Sequence, residues 1–303
     1  MRAEPPPLEV TDLTKRFGSI EALRGVSFVV EPGEVVGYLG PNGAGKTTTL
    51  RIALGLVHPT AGEVRLFGQP PANAASRDDI GFIPGDLRLY GDMTGRGVLE
   101  YFAGFRPRRP PIRRGEIADA LGVDTGVLRQ RVKFLSHGTR QKLGLLVAMQ
   151  HDPAFLLLDE PSNGIDPLVQ HAFRALVVEH ARRGRAVLLS SHIISEAEAV
   201  CSRVAILRAG RVVALESIEA LRASVVRRAR IGFRGAPPAG LAETPGVTRV
   251  EANGADVALW LRGDVNPLLR TLAGADIERL VFPEPELEDI FLDYYRPEGN
   301  ALA

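Results

Sequence analysis

Two hydrophobic rhythms alternate along the first two thirds of the chain. Short apolar or alternating runs at residues 8–13, 22–30, 34–39, 64–67, 80–83, 154–158, 186–190 and 204–207 predict β-strands. Between two of these runs, Val169, Phe173, Leu176 and Val177 fall on one face of a 3.6-period helix. A further helix is expected from about Gly45, directly after a glycine-rich turn. From about Thr94 to Ala120 the pattern is helical, interrupted by FRPRRPPIRRG, and reads as an inserted helical region. Strands alternating with helices predict an α/β sheet. Beyond Ser217 the segments shorten, broken by GAPPAG and NGAD, and a closing helix is expected in LEDIFLDYY, where Leu287, Ile290, Phe291 and Tyr294 share a face. The predicted organisation is one large domain, residues 1–216, and a small α+β domain, residues 217–303.

Composition narrows the function classes. With 303 residues, 45% of them hydrophobic, the chain is expected to be a soluble globular protein. A formal net charge of +1 provides no global field for nucleic acid, although nearly all the positive charge is arginine. The arginine-rich run from Arg106 to Arg114 has interspersed prolines and no interleaved aromatics to stack bases, so it is expected to be a solvated loop. One cysteine, Cys201, excludes an internal disulfide framework and is expected to be a small buried apolar side chain. The opening MRAEPPPLEV lacks the apolar core of a signal peptide, and no run of about 18 apolar residues predicts a membrane span. Were this chain to serve transport, another chain would have to supply the pore.

The candidate chemistry begins after the third apolar run. GPNGAGKTT, from Gly40 to Thr48, satisfies the phosphate-loop pattern G-x-x-x-x-G-K-[ST] and lies between a predicted strand and a predicted helix. Backbone N–H groups wrap a phosphate only where no Cβ obstructs them, and the helix N-terminus adds partial positive charge at the same point. The ATP-binding candidates are therefore Gly40, Pro41, Asn42, Gly43, Ala44, Gly45, Lys46, Thr47 and Thr48, with Lys46 reaching the β- and γ-phosphates and the Thr47 hydroxyl binding Mg²⁺. Further on, FLLLDEP delivers two acids to a strand end. Asp159 is the candidate metal carboxylate and Glu160 the candidate base that polarises water.

Between these halves lies FLSHGTRQKLGLLVAMQHDP, and after them come SNGIDP and VLLSSHIISEAEAVCSRVAILRAGRVV. In this order the segments resemble the signature, D-loop and switch-histidine regions of the ABC transporter ATPases, over roughly residues 8–216. The resemblance implies an ABC-type P-loop NTPase core with an inserted helical subdomain at about residues 87–150. It also implies a head-to-tail homodimer in which each ATP lies between one chain's phosphate loop and the other's signature. On that basis Ser136, His137 and Gly138 act in trans, Asp166 belongs to the D-loop, His192 senses the γ-phosphate and Phe17 stacks on adenine. Three positions depart from the family pattern: Gly85 stands where a glutamine is usual, His137 replaces the first signature glycine with Thr139 at the usual glutamine, and Asn163 sits where small residues are common. Asp86, beside Gly85, is the polar side chain expected to compensate at the metal or water. The C-terminal domain resembles the extension of the drug- and antibiotic-exporter branch. The implied function is ATP hydrolysis with ATP and Mg²⁺, powering export through separate transmembrane permease subunits, on the cytoplasmic face of the cell membrane and with no nucleic-acid partner. The alternative is a soluble ABC ATPase acting on nucleic acid or ribosomes.

Overall fold

In the computed structural model, which describes residues 4–224 and 226–282, the apolar runs are strands and the 3.6-period segments are helices. The chain divides into two units between Leu215 and Glu216. The first opens with β1 (Leu8–Phe17), β2 (Ile20–Val30), β3 (Val35–Leu39), α1 (Lys46–Ala53), β4 (Ala61–Leu66) and β5 (Ile80–Ile83). Four helices follow, α2 (Gly95–Gly104), α3 (Arg114–Leu121), α4 (Thr125–Arg129) and α5 (His137–Met149). It closes with β6 (Phe155–Asp159), α6 (Pro167–Arg182), β7 (Ala186–Ser191), α7 (Ile194–Glu198), β8 (Arg203–Arg208) and β9 (Arg211–Ser217).

Strands β3, β6 and β7 are buried along their whole length, which places them at the centre of a sheet ordered β5-β6-β7-β3-β8-β9. The pairs from β5 to β8 are all parallel. A parallel strand covered on both faces carries an uninterrupted apolar run, so FLLLD and AVLL are conspicuous in the sequence. Strands β2, β1 and β4 form a second, antiparallel sheet, and Leu8, Val10, Leu23 and Phe28 join Val36, Tyr38 and Leu50 in one core. Strand β1 runs four residues beyond the predicted end at Leu13. Register shifts on both sides of Leu13, with Asp12 at φ 47°, break the alternation that marks a strand.

The arginine-rich run is exposed over residues 107–110, but four of its five arginines are tethers, which the expectation of a solvated loop did not include. Arg106 is part-buried and donates to the Ile80 carbonyl at 3.1 Å, and Arg109 pairs with Asp79 at 2.7 Å. Arg114 reaches Glu100 and Gln150, while Arg113, only 4% exposed, binds Glu116 and Glu179. Beside it lies buried Asp152, paired with Arg183 at 2.9 Å and Arg185 at 3.1 Å. Charge in this run therefore fastens the helical insert to β5 and α6.

The same region predicts an acid response. His180 is buried with both ring nitrogens lacking a hydrogen-bond partner, and His151 with Nε2 unpartnered. Burial pushes both from 6.5 down to about 4. Stability from these groups is complete above pH 6.5, falls as the unfolded chain takes up protons first, and is lost by about pH 4. Each should contribute about 3 kcal/mol to that fall. Urea unfolding from pH 7 to 4 measures the slope, and His180→Leu should reduce it by about half whatever its effect at pH 7.

The second unit comprises α8 (Ile218–Ser224), β10 (Val226–Phe233), β11 (Val247–Asn253), β12 (Asp256–Arg262), α9 (Asn266–Leu272) and β13 (Ile277–Val281). Its antiparallel sheet is ordered β11-β12-β10-β13. Ala229, Ile231, Phe233, Val257, Leu259 and Leu261 point to one face and pack with Leu268 and Leu272 of α9. This is the small α+β domain expected. The helix predicted at Leu287, Ile290, Phe291 and Tyr294 lies outside the described residues. Cys201 is free and buried, and burial pushes its thiol pKa up.

Candidate nucleotide site

The carboxyl ends of β3, β6 and β7 converge on one edge of the parallel sheet, where loops are free to build a site. Strand β3 runs into the loop 40–45 and then α1. Two glycines there are required by space: a Cβ on Gly40 would stand 2.5 Å from the Leu207 carbonyl oxygen. One on Gly45, at φ 113°, would stand 2.7 Å from that of Ala22. Beneath the loop, the Tyr38 hydroxyl lies 3.0 Å from Thr49 Oγ1 and ties β3 to α1. The result is a cleft of about 200 Å³, lined by residues of the loop, Lys46, Thr47, Thr48 and Glu160.

Two clusters form at its floor. Lys46 Nζ donates to the Gly40 carbonyl at 2.6 Å and lies 3.3 Å from Glu160 Oε1, while Glu160 Oε2 is 2.8 Å from His192 Nδ1. Glu160 holds φ 49°, a left-handed conformation costing about 1 kcal/mol that only the surrounding contacts can sustain. In the second cluster Asp159, 2% exposed, accepts from Thr47 Oγ1 at 2.8 Å and from Ser190 Oγ at 2.5 Å. A hydroxyl beside a carboxylate is an all-oxygen donor pair of the kind Mg²⁺ takes. Among the described residues no group of three or more His, Cys, Asp or Glu could hold a metal alone, so Mg²⁺ held by Thr47 and Asp159 would complete its shell with phosphate oxygens and water.

Ser136 caps α5, accepting from the Thr139 N–H at 3.1 Å, and it remains exposed, as does His137. A Cβ on Gly164 would meet His137 Cδ2 at 2.1 Å, and one on Gly138 would meet the Gly164 carbonyl oxygen at 2.7 Å. The segments around Gly138 and Gly164 of one chain are thus in direct contact. Buried Gln141 adds a hydrogen bond to the Pro161 carbonyl at 2.9 Å, and Lys142 lies 3.8 Å from Asp166, which caps α6 through the Val169 N–H. Sequence reasoning missed Gln141 and Ser190. A small hydroxyl residue closing an apolar strand was the available signal for Ser190.

Phe17 is 48% exposed with Lys15 Nζ 4.8 Å from its ring centre, so it packs in no core and its ring is accessible. One candidate stands elsewhere than expected. Asp86 is exposed and paired with Arg88 at 2.7 Å, whereas the residue against Asp159 is Gly85, whose Cβ position lies 3.4 Å from Asp159 Oδ2. The carboxylate expected to compensate at the metal is therefore turned to a partner of its own. Asp86→Ala should release phosphate at the wild-type rate in a coupled assay, and a drop with ATP binding intact would return Asp86 to the site.

A family model described as ABC transporter matches residues 23–163. Over 94% of its length the chain is 33% identical to the Nod factor export ATP-binding protein I of Burkholderia orbicola (strain AU 1054), 96% of which is covered. It is 35% identical to the protein of that name from Paraburkholderia xenovorans (strain LB400), with 94% and 95% covered. A solved ATP-binding subunit of an ABC transporter shares 32% identity at TM-score 0.65, over 71% of this chain and 91% of that one. A dimeric ATP-binding cassette in a post-hydrolysis state with ADP and Pi shares 25% identity at TM-score 0.61, over 70% and 98%. With a phosphate loop, a buried Asp159 and a helical insert in the same arrangement, this chain belongs to the ABC transporter family as an ATP-binding subunit.

Proposed function

We propose that this chain hydrolyses ATP with Mg²⁺ at sites completed between two copies of itself, and so drives export through separate transmembrane permease chains on the cytoplasmic face of the cell membrane. The placement of Glu160 between Lys46 and His192 carries the reading. Phosphate oxygens entering the loop would take over Lys46, leaving Glu160 to accept a proton from water while His192 holds its other oxygen. Thr47 and Asp159 would hold the metal, which when bound would neutralise charge on the phosphates. Exposed Ser136 and His137 at the N-terminus of α5 are available to a second copy, and the dimeric cassette is consistent with that use.

Export is favoured by relatives that carry it in their names and match this chain over 94% of its length, the second unit included. Among the described residues no helix is long and apolar enough to cross a membrane, so a permease must be a separate partner in this reading. An exposed aromatic stack on the helical insert suits such a partner: Tyr101 lies edge-on to Tyr90 at 5.0 Å and to Phe105 at 4.9 Å, all three exposed. Replacing Tyr101 and Phe105 together by Glu should reduce recovery of the membrane partner about tenfold or more, while the isolated chain still binds ATP. Equal recovery would move the docking surface elsewhere. Phosphate release that is the same with and without the partner would remove coupling to transport.

A further inference from the structure

We propose that the open face of the C-terminal sheet is a phosphoryl-binding site, with Arg228 and Arg230 as the groups that hold the anion. Alternation along β10 sends Ala229 and Ile231 into the core, leaving Arg228 and Arg230 exposed on the other face. Across that face Arg230 pairs in register with Ala258, and Ala258 with Glu251. A methyl group between two long side chains leaves a depression. It forms a cleft of about 270 Å³, larger than the one at the phosphate loop, bounded by Arg228, Arg230, Arg279, Glu251, Asn253 and Asp256.

The charges around this cleft are unevenly matched. Arg279 pairs with Asp256 at 2.9 Å and Arg249 with Glu251. Arg228 and Arg230 have no carboxylate partner among the described residues. Arg228 instead lies over the Trp260 ring, 4.9 Å from its centre, and Arg249 lies 4.8 Å from the same ring. Stacking holds the guanidinium of Arg228 in place, so less side-chain entropy is lost when it binds an anion. With two guanidiniums already on the indole, an anion suits the site better than a stacked base.

A phosphoryl dianion fits two arginines set two residues apart on a strand. Each guanidinium offers a planar fork, and a phosphate has oxygens enough to accept from both, whereas a carboxylate satisfies one. On the far rim Glu251 and Asn253 provide acceptors for hydroxyl or amino groups on the body of the ligand. The chemical class is therefore a phosphomonoester on a small polar body, free in solution or presented as a lipid headgroup. The site is independent of the ATP chemistry proposed above.

Trp260 is the only tryptophan, so tryptophan emission of the full chain, excited selectively over the five tyrosines, reports on this face. The test uses Lys46→Ala protein, to weaken phosphate binding at the other cleft, titrated with glycerol 3-phosphate and followed by emission and calorimetry. A saturable signal is expected, weakened about tenfold by Arg230→Gln, which replaces an exposed guanidinium that has no carboxylate partner among the described residues, and further by Arg228→Gln. Trp260→Phe should abolish the emission signal and keep the heat. Vesicles containing phosphatidic acid, compared with phosphatidylcholine alone, form the second arm. Binding there without a response to glycerol 3-phosphate assigns the phosphoryl group to a headgroup, and the reverse assigns it to a soluble compound. Failure of both arms, equal affinity for succinate, or affinity unchanged in the Arg228→Gln, Arg230→Gln double variant would overturn the proposal.

Discussion

Phosphate release should fall about 10²- to 10⁴-fold when Glu160 is replaced by Gln, while ATP and Mg²⁺ remain bound. Glutamine keeps the size of the side chain and an oxygen acceptor for Lys46 or His192, but it cannot take a proton from water. Thr47, Asp159 and Ser190 are untouched by the change, so the carboxylate that would hold the metal keeps both its hydroxyl partners. The variant is expected to accumulate as an ATP-bound dimer, because one chain carries both the phosphate loop and the signature and two copies complete two equivalent sites. Adding Lys46→Ala should abolish that dimer by removing the cation nearest the loop. Light scattering of the isolated variant chain with ATP and Mg²⁺ gives the mass directly. Wild-type turnover in Glu160→Gln would end its assignment as base, and a clamped state restored only by a different ATPase chain would end the homodimer.

Replacing Arg113 by Leu should lower stability by about 3 kcal/mol and loosen the helical insert. Arg113 is 4% exposed, its backbone N–H binds the Gln150 carbonyl, and its guanidinium holds Glu116 on α3, Glu179 on α6 and, at 3.8 Å, Asp152. Its loss would leave Asp152, itself 4% exposed, dependent on Arg183 and Arg185. Glu116 and Glu179 are half exposed and can turn to water, so the cost sits at the low end for a broken buried pair. Chemical denaturation gives the loss, and hydrogen exchange should locate it in α3 while β6 and β7 stay protected. A loss below about 1 kcal/mol, the size of an exposed pair, would mean that the cluster does not hold the insert.

The parts legible in the sequence were those whose signal is local. The phosphate loop follows from steric limits within nine residues, and β3, β6 and β7 announce themselves because burial on both faces demands continuous apolar runs. The D-loop and switch-histidine assignments rest on order along the chain and a family likeness, with no physical pattern of their own. Strand β1 was cut short because a register shift erased its alternation.

By itself the sequence determined the α/β core, the helical insert, the small C-terminal domain and a phosphate loop followed by two acids. Tertiary structure alone decided which charges meet. Thr47 and Asp159 are 112 residues apart, Glu160 and His192 are 32 apart, and Ser190 was brought to Asp159 by the adjacency of β6 and β7. It also decided that Asp86 serves Arg88, that Phe17 is exposed, that the arginine-rich run is anchored, and that Arg228 rests on Trp260. The physical reason is that periodicity records only whether a position faces core or water. A charged side chain satisfies both patterns by reaching, and its partner is whichever carbonyl, carboxylate or ring the fold leaves unsatisfied beside it.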